Sequence, residues 1–359
     1  MKLLIQPGDG PEALLSGIRN ARKSIEIAIF RFDRAEMEAG LKAAVGRGVA
    51  VSALIAYTNR GGEINLRKLE MRLLAVGVAV SRTADDLVRY HDKLMIIDRR
   101  LLYVLSFNFT YLDIDHSRGF GIVTRNARLI QEAVKLFEAD TTRNLYTPTL
   151  DTFVVSPANA RRVLGAFISK AKRELLIYDP KIADPELLRA LSERTKAGLE
   201  IKIIGSVSKQ NPGLEVRKLG KLRLHTRTII RDRRQAFVGS QSLRTAELDS
   251  RREVGIIVRE PNVVNGLIKT FEADWAMSAV KANQQPEANL KDMQKGVKDL
   301  VKELSPLSPI VKDALKEAES EAGSSSLNKQ EMKATVKEAV KEAVRERVDE
   351  MVKENREES

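Results

Sequence analysis

Apolar residues along the first 280 positions recur with two spacings. In some stretches they fall three and four apart, the mark of an amphipathic helix. In others they form short β-branched runs, the mark of strands. The stretch "IQPGDGPEALLSGIRNARKSIEIAIF", from Ile5, reads as an amphipathic helix followed by a strand, and "GRGVAVSALI" leads from a further helix into a second strand. The same order returns in "VSPANARRVLGAFISKAKRELLIYDP", from Val155, and in "KAGLEIKIIG". The pattern therefore predicts helix, strand, helix, strand, twice over. Helices alternating with strands imply an α/β sandwich with a mixed or parallel sheet.

The two series align residue by residue. Pro7 pairs with Pro157, Ile18 with Ile168, Ala21 with Ala171, Ile27 with Ile177 and Gly48 with Gly198, all at an offset of 150. The offset then becomes 134: His91 with His225, Asp98 with Asp232, Ser106 with Ser240, Gly121 with Gly255, and "LFEAD" at 136–140 with "TFEAD" at 270–274. The second copy thus lacks about 16 residues, where the first carries "YTNRGGEINLRKLEMRLLAVG", a Gly-marked loop and a helix. A repeat this long is a duplicated domain rather than a solenoid. It sets a first repeat at 1–145 and a second at 151–280, joined by "RNLYTPTLDTFV" at 143–154.

From residue 281 the texture changes to a Lys/Glu-rich tail, 281–359, that reads as helices broken by "SPLSP" and "GSSSLN". Its last helix places Val336, Val340, Val344, Val348 and Val352 four apart, with Met332, Ala339, Ala343 and Met351 alongside. A narrow apolar stripe flanked by both charge signs suits a coiled coil, so the tail is expected to join copies into a homo-oligomer. A membrane-surface helix would want larger apolar residues and a basic polar face.

Composition narrows the chemistry. The chain has no cysteine and three histidines, none close together, so disulfides and cysteine nucleophiles are excluded and a zinc site is disfavoured. The net charge is +12 over 359 residues, but the tail holds 15 basic and 17 acidic residues, which leaves +14 on residues 1–280. A basic body favours anionic partners: nucleic acid, anionic lipid or other phosphates. The opening "MKLLIQPGDGPEALLSG" does not read as a signal peptide, and no apolar segment approaches the roughly 20 residues that span a bilayer. The expectation is a cytoplasmic protein, at most peripheral at a membrane.

The candidate chemistry lies in "HDKLMIIDRRLLYVLSFNFT" at 91–110 and "HTRTIIRDRRQAFVGSQSL" at 225–243. The first holds His91, Lys93 and Asp98 as H-x-K-x4-D, then Ser106 and Asn108; the second holds His225, Arg227 and Asp232, then Ser240 and Ser242. Residues two apart on a strand point the same way, so each histidine shares a space with a cation. If the copies pack about a pseudo-twofold axis, two imidazoles and two cations meet in one cleft. Those parts suit phosphodiester chemistry: one imidazole attacks phosphorus and the other moves the proton.

This pair of motifs in register resembles the phospholipase D superfamily, with its duplicated HKD motif, over roughly residues 1–280. The resemblance implies two tandem phospholipase D-like sandwich repeats and a phosphodiesterase or phosphatidyltransferase that needs no metal or other cofactor and passes through a phosphohistidine. By motif position it implies that His91 is the nucleophile and His225 the general acid/base, and that Lys93, Asn108 and Arg227 hold phosphate. Glu253 matches a family glutamate that supports a histidine. Asp98 and Asp232 are candidates for the catalytic set, with a backbone-holding role equally open. Ser106 and Ser240 are candidates for phosphate contact or for satisfying backbone at a strand end. His116 reads as a surface-loop residue. The chain departs from the pattern in Leu105 before S-x-N, Arg227 for Lys, Ser242 for Asn, and Gly119 where Glu253 has its counterpart, with Asp113 or Asp115 as substitutes.

Three functions are compatible with these features. The first is hydrolysis or transfer of phosphatidyl groups of phospholipids. The second is a nuclease, favoured by the basic body. The third is a non-catalytic phosphate-binding or assembly protein with a degenerate second motif.

Overall fold

The computed structural model describes residues 1–57, 63–208 and 213–282. The Lys/Glu-rich tail and its expected coiled coil lie outside the described residues, except for Lys281 and Ala282. Residues 1–282 form one unit. Its first half runs β1 (Lys2–Gln6), α1 (Glu12–Asn20), β2 (Ser24–Ala28), α2 (Ala35–Gly46), β3 (Ala50–Ile55), α3 (Glu63–Ala75), β4 (Ala79–Arg82), β5 (Arg89–Tyr90), β6 (Leu94–Ile97), β7 (Leu101–Leu105), α4 (Tyr111–Asp115), β8 (Ser117–Thr124) and α5 (Ala127–Thr142). Its second runs β9 (Phe153–Ser156), α6 (Ala160–Ser169), β10 (Glu174–Ile182), α7 (Pro185–Lys196), β11 (Glu200–Val207), β12 (Glu215–Arg217), β13 (Arg223–Leu224), β14 (Arg227–Arg231), β15 (Gln235–Gly239), α8 (Thr245–Asp249), β16 (Arg251–Val258) and α9 (Pro261–Ala282).

Each half builds a mixed sheet of the same plan. The first has the order β1-β8-β7-β6-β2-β3-β4 and the second has β12-β11-β10-β14-β15-β16, with β9 beside β16. The β2-β3-β4 and β10-β11-β12 segments are parallel and the rest of each sheet is antiparallel. Each half opens on a strand, β1 or β9, ahead of the helix that periodicity predicts first. These strands are only five and four residues long, and Pro7 or Pro157 follows at once, which hides their alternation. The second half passes from β11 to β12 and β13 with no counterpart of α3 among the described residues, which accords with its shorter sequence.

The sheets are buried on both faces, so their central strands read as unbroken apolar runs. On β6, Leu94 and Ile96 face a core shared by both halves, while Met95 and Ile97 face a core private to the first half. On β15, Ala236 and Val238 face the shared core and Phe237 the second half's own core. Helices α5 and α9 enter the shared core through Leu129, Leu136, Leu267 and Phe271, among others. Tyr178 packs edge-on to Phe120 at 5.4 Å and to Phe271 at 5.0 Å, tying the halves together.

Two short strands cross between the halves. Strand β5 pairs in parallel with β16 of the second sheet, and β13 pairs in parallel with β8 of the first. Each lies immediately before a motif histidine. The exchange continues in the backbone, where the His91 N–H donates to Arg252 O at 2.8 Å and the His225 N–H to Arg118 O at 3.1 Å. Each histidine is therefore positioned by the opposite half. Two buried ion pairs complete this reciprocity. Arg118 bonds Asp274 through two nitrogens at 2.8 and 2.9 Å and Gln6 O at 2.7 Å. Arg252 bonds Asp140 at 2.9 Å and Ser156 O at 3.0 Å. Asp140 and Asp274 are the last residues of the repeated "FEAD" segments, whose recurrence thus has a structural reason.

Candidate active site

The motif residues gather where β5 and β13 deliver the histidines. His91 Nδ1 lies 3.0 Å from Glu253 Oε2, and Lys93 Nζ lies 3.1 Å from His91 Nε2 and donates to His91 O at 2.6 Å. The edge of Phe30 closes one side, its ring centroid 4.9 Å from that of His91. In the other half Arg227 donates to His225 O at 2.7 Å, so its cation repeats the anchor that Lys93 makes. The two half-sites share one electrostatic environment: the Arg227 charge acts on His91 and the Lys93 charge on His225.

The carboxylates behind the two histidines are asymmetric. Glu253, on β16, is fully buried and backs His91. Its counterpart, Gly119, cannot be glutamate, because a Cβ there would meet Phe107 at 2.9 Å. Asp113 serves His225 instead, with its Oδ2 3.4 Å from Nδ1, longer than a hydrogen bond. Asp113 is held in place by the Asn108 N–H and side-chain amide at 2.8 and 2.7 Å, and by Arg223 at 2.6 Å. Thr110 caps α4 by accepting the Asp113 N–H, which fixes the helix turn that carries it. Asp115, the other substitute, pairs with Arg34.

Burial in this cleft sets the protonation states. Both imidazoles are pushed well below their usual pKa, first by burial. At His91 the cations Lys93, Arg227, Arg89 and Arg251 add to that push; at His225 the Asp113 charge opposes it. A neutral His91 with Nδ1–H directed at Glu253 leaves the Nε2 lone pair facing Lys93 Nζ at 3.1 Å. Burial also lowers Lys93 to about 7 against the pull of Glu253. It raises Glu253 despite nearby cations. Burial works to raise Asp113 too, but His225, Arg223 and the Asn108 bonds outweigh it and hold the carboxyl below its ordinary range.

Other sequence candidates serve the backbone or the carboxylates behind the histidines, Ser240 bonding Glu253 and Asn108 bonding Asp113. Asp98 accepts the backbone N–H groups of Arg22, Lys23 and Ser24 at 3.1, 2.6 and 3.0 Å. Asp232 does the same for Lys172, Arg173 and Glu174 at 3.0, 2.7 and 3.2 Å. Each opens a hairpin turn with two left-handed residues, Asp98 and Arg99 (φ 53° and 50°) or Asp232 and Arg233 (φ 52° and 55°), as a type I′ turn requires. A whole strand separates each aspartate from its histidine, roughly 15 Å at strand rise. The structure thus places both at the backbone and not in the cleft. Ser106 and Ser240 are likewise drawn into the sheets: the Ser106 hydroxyl accepts the Phe120 N–H at 2.9 Å and the Ser240 hydroxyl accepts the Val254 N–H at 3.1 Å. Asn108 spends its oxygen on the Arg31 N–H and its amide on Asp113, which makes it a support for that carboxylate rather than an open phosphate ligand. Ser242 bonds Asp179 at 2.7 Å. His116 is exposed at the end of α4.

Sequence reasoning passed over Arg89, Arg251 and Phe30. Arg89 and Arg223 stand two residues before the histidines at the 134 offset, a signal present in the repeat. Phe30 lies in the first copy's segment after β2, where periodicity carries no information. Among the described residues no group of three or more His, Cys, Asp and Glu side chains could hold a metal ion.

This fold, with its reciprocal histidine pair, defines a phospholipase D-like protein. A family model described as "Cardiolipin synthase, PLD-like domain" matches residues 14–141 and 164–275, and the chain belongs to that family. Over 140 residues it is 31% identical to the mitochondrial cardiolipin hydrolase of Danio rerio, a match that covers 37% of this chain and 59% of that protein. The fold is similar to phosphatidylserine synthase from Haemophilus influenzae (TM-score 0.60, 12% identity, 84% of this chain and 94% of that one). It is also similar to polyphosphate kinase from Porphyromonas gingivalis (TM-score 0.64, 18% identity, 76% of this chain and 50% of that one). Among the described residues no helix is long and apolar enough to cross a membrane.

Proposed function

We propose that the protein is a metal-independent phosphodiesterase that hydrolyses or transfers phosphatidyl groups of phospholipids through a phosphohistidine. The observation that carries this reading is the pair of buried imidazoles, each backed by a carboxylate from the opposite half and each with a motif cation, Lys93 or Arg227, beside it. His91 Nε2 attacks phosphorus. Glu253 accepts the Nδ1–H and stabilises the positive charge that develops on the ring. Lys93 and Arg227 take the equatorial oxygens of the pentacoordinate state. His225, held by Asp113, gives its proton to the departing alcohol; the incoming phosphate offsets the cation repulsion and so raises His225 toward its protonated form. His225 then takes a proton from water or from an acceptor alcohol, which attacks the phosphohistidine and frees His91.

The named activities of the cardiolipin hydrolase and the phosphatidylserine synthase favour a lipid substrate. A surface feature supports it as well. Tyr57, Val88, Tyr111 and Leu112 are exposed apolar side chains on segments that leave the strand ends on the His91 side. Apolar residues around a basic cleft suit peripheral contact with an anionic bilayer. On this reading residues 1–145 and 151–280 are the two repeats that share one site, and 281–359 joins copies. The +14 charge of residues 1–280 favours a second reading, cleavage of nucleic acid by the same chemistry.

The test is turnover by EDTA-treated protein on anionic liposomes and on single- and double-stranded DNA, with His91→Ala as the blank. Metal-free headgroup release that disappears in the blank supports the lipid reading. DNA cleavage without lipid turnover replaces it with the second. Inactivity on all three moves the assignment to a binding protein with a degenerate second motif.

A further inference from the structure

Asp113 reaches His225 from α4, a helix of five residues. One turn holds too few internal hydrogen bonds to fix its own position. Where the Asp113 carboxylate stands is therefore decided by what grips α4 from outside. His225 Nδ1 is buried without a hydrogen-bond partner among the described residues, and Asp113 Oδ2 stands 3.4 Å from it. A small movement of α4 either makes that bond or abolishes it.

The grip comes from the segment that leaves β2. The Asp33 N–H donates to Phe109 O at 3.1 Å, and the Asp33 carboxylate accepts the Tyr111 N–H at 3.0 Å. Arg34, only 6% exposed, spans the whole of α4. Its guanidinium lies 4.4 Å from the ring centroid of Tyr111, the first helical residue, and donates to both oxygens of Asp115, the last, at 3.1 and 3.2 Å. Arg34 Nε donates to Glu36 at 2.6 Å, and Glu36 also accepts the Tyr111 hydroxyl at 3.2 Å. Charge-assisted bonds and a cation on a ring hold such a turn at both ends. On the same segment the Arg31 N–H donates to the Asn108 oxygen at 3.2 Å, and Phe30 walls His91.

The second half builds a similar bracket without the same consequence. Arg161 bonds Asp249, the counterpart of Asp115, at 2.8 and 2.6 Å, and Asp184 at 2.7 Å. Glu247, the counterpart of Asp113, accepts the Ser242 N–H at 2.8 Å, while Glu253 on β16 backs His91. Of the two brackets, the one around α4 bears on a histidine.

We infer that Arg34 is a positioning residue for the proton transfer at His225: by holding α4 at both ends it sets Asp113 against the imidazole. This rests on the phosphodiesterase reading above. Arg34 touches no reacting atom and acts through Asp113. Its loss therefore slows the departure of an alcohol that must be protonated, such as the glycerol of phosphatidylglycerol. It spares the departure of p-nitrophenolate, which leaves without a proton.

The test compares kcat/KM of the EDTA-treated full chain for phosphatidylglycerol and for phosphatidyl-p-nitrophenol in the same detergent micelles. This quantity counts the steps up to departure of the first alcohol, before water attacks. Arg34→Gln should lower it about tenfold or more for phosphatidylglycerol and within about twofold for the nitrophenyl lipid. Asp115→Asn, which frees the far end of α4 and keeps Arg34, should shift the ratio in the same direction by about threefold or more. Arg161→Gln should leave the ratio within about twofold. Equal losses on both lipids in Arg34→Gln, or the same shift in Arg161→Gln, overturns the inference. The imidazole Nδ1–H signals of the three histidines, assigned with His→Ala variants, report the contact without any substrate. In Arg34→Gln the His225 signal should shift or be lost to exchange with water, and the His91 signal should stay. A shifted ratio with an unmoved His225 signal overturns the route through Asp113. If the His225 signal responds while wild type turns over neither lipid, the bracket stands and the phosphodiesterase reading fails.

Discussion

Asp98→Ala separates a structural aspartate from a catalytic one. The substitution removes the acceptor for three backbone N–H groups, those of Arg22, Lys23 and Ser24. A hydrogen bond to a charged group contributes about 1.5–3 kcal/mol. The carboxylate is half-buried, so water replaces part of what is lost, and about 3 kcal/mol remains. Asp98 also holds φ at 53°, a region that a short polar side chain tolerates better than alanine does, which adds up to about 1 kcal/mol. A unit of this size loses about 2–4 °C in Tm per kcal/mol, so the variant should melt about 10 °C lower. The assay is thermal and urea unfolding at pH 7, with turnover measured per folded molecule well below the transition. Asp98→Asn keeps an acceptor and should lose only about 1 kcal/mol. Burial works to raise the Asp98 pKa, and the three amide bonds more than reverse it, leaving the group below 3.8. The stability it contributes is therefore present above its unfolded pKa and lost as pH falls through the folded one, so wild type and variant should converge in acid. An unchanged Tm with abolished turnover would refute this reasoning and return Asp98 to the cleft.

Other expectations follow from the same geometry. Glu253→Gln leaves His91 without its charged partner, so kcat should fall on the order of 10²- to 10⁴-fold with KM within about threefold, read by steady-state kinetics. Lys93 loses its proton through about 7 in the free protein, so kcat/KM should decline as pH rises through that value. Lys93→Arg should move this alkaline limb above pH 9, whatever its effect on the plateau, because guanidinium stays charged. Arg118→Met strands Asp274 and should cost about 3–5 kcal/mol in urea unfolding, with Arg118→Met plus Asp274→Asn recovering a good part.

The duplication made much of this molecule legible. Pairs at two offsets marked equivalent residues before any contact was known, and the apolar run after His91 marked a short strand. The repeated aspartates Asp140 and Asp274 were visible as a pattern but not as a function, because their partners Arg252 and Arg118 lie in the opposite half. The histidine supports were hidden for the same reason. Glu253 could be matched by position, yet nothing local says that it serves His91 rather than His225, and Asp113 and Asp115 were equal choices until Thr110 and Asn108 fixed the turn. Strands β5 and β13 are two residues each, too short for any period to register, although they decide which half holds which histidine. Asp98, Asp232, Ser106 and Ser240 share the motif's spacing with the cleft residues. Spacing alone does not distinguish a side chain at the mouth of a strand from one at its far turn.

The central claim is a covalent step at His91. His225→Gln removes the group that would activate water, so a short reaction with a phospholipid should leave phosphate ester bound to the protein. Mass spectrometry after rapid neutral digestion should find the adduct on the peptide containing His91, labile in acid and absent from the His91→Ala, His225→Gln double variant. An adduct on the His225 peptide in the converse variant, His91→Gln, with none ever found on His91 would contradict the account.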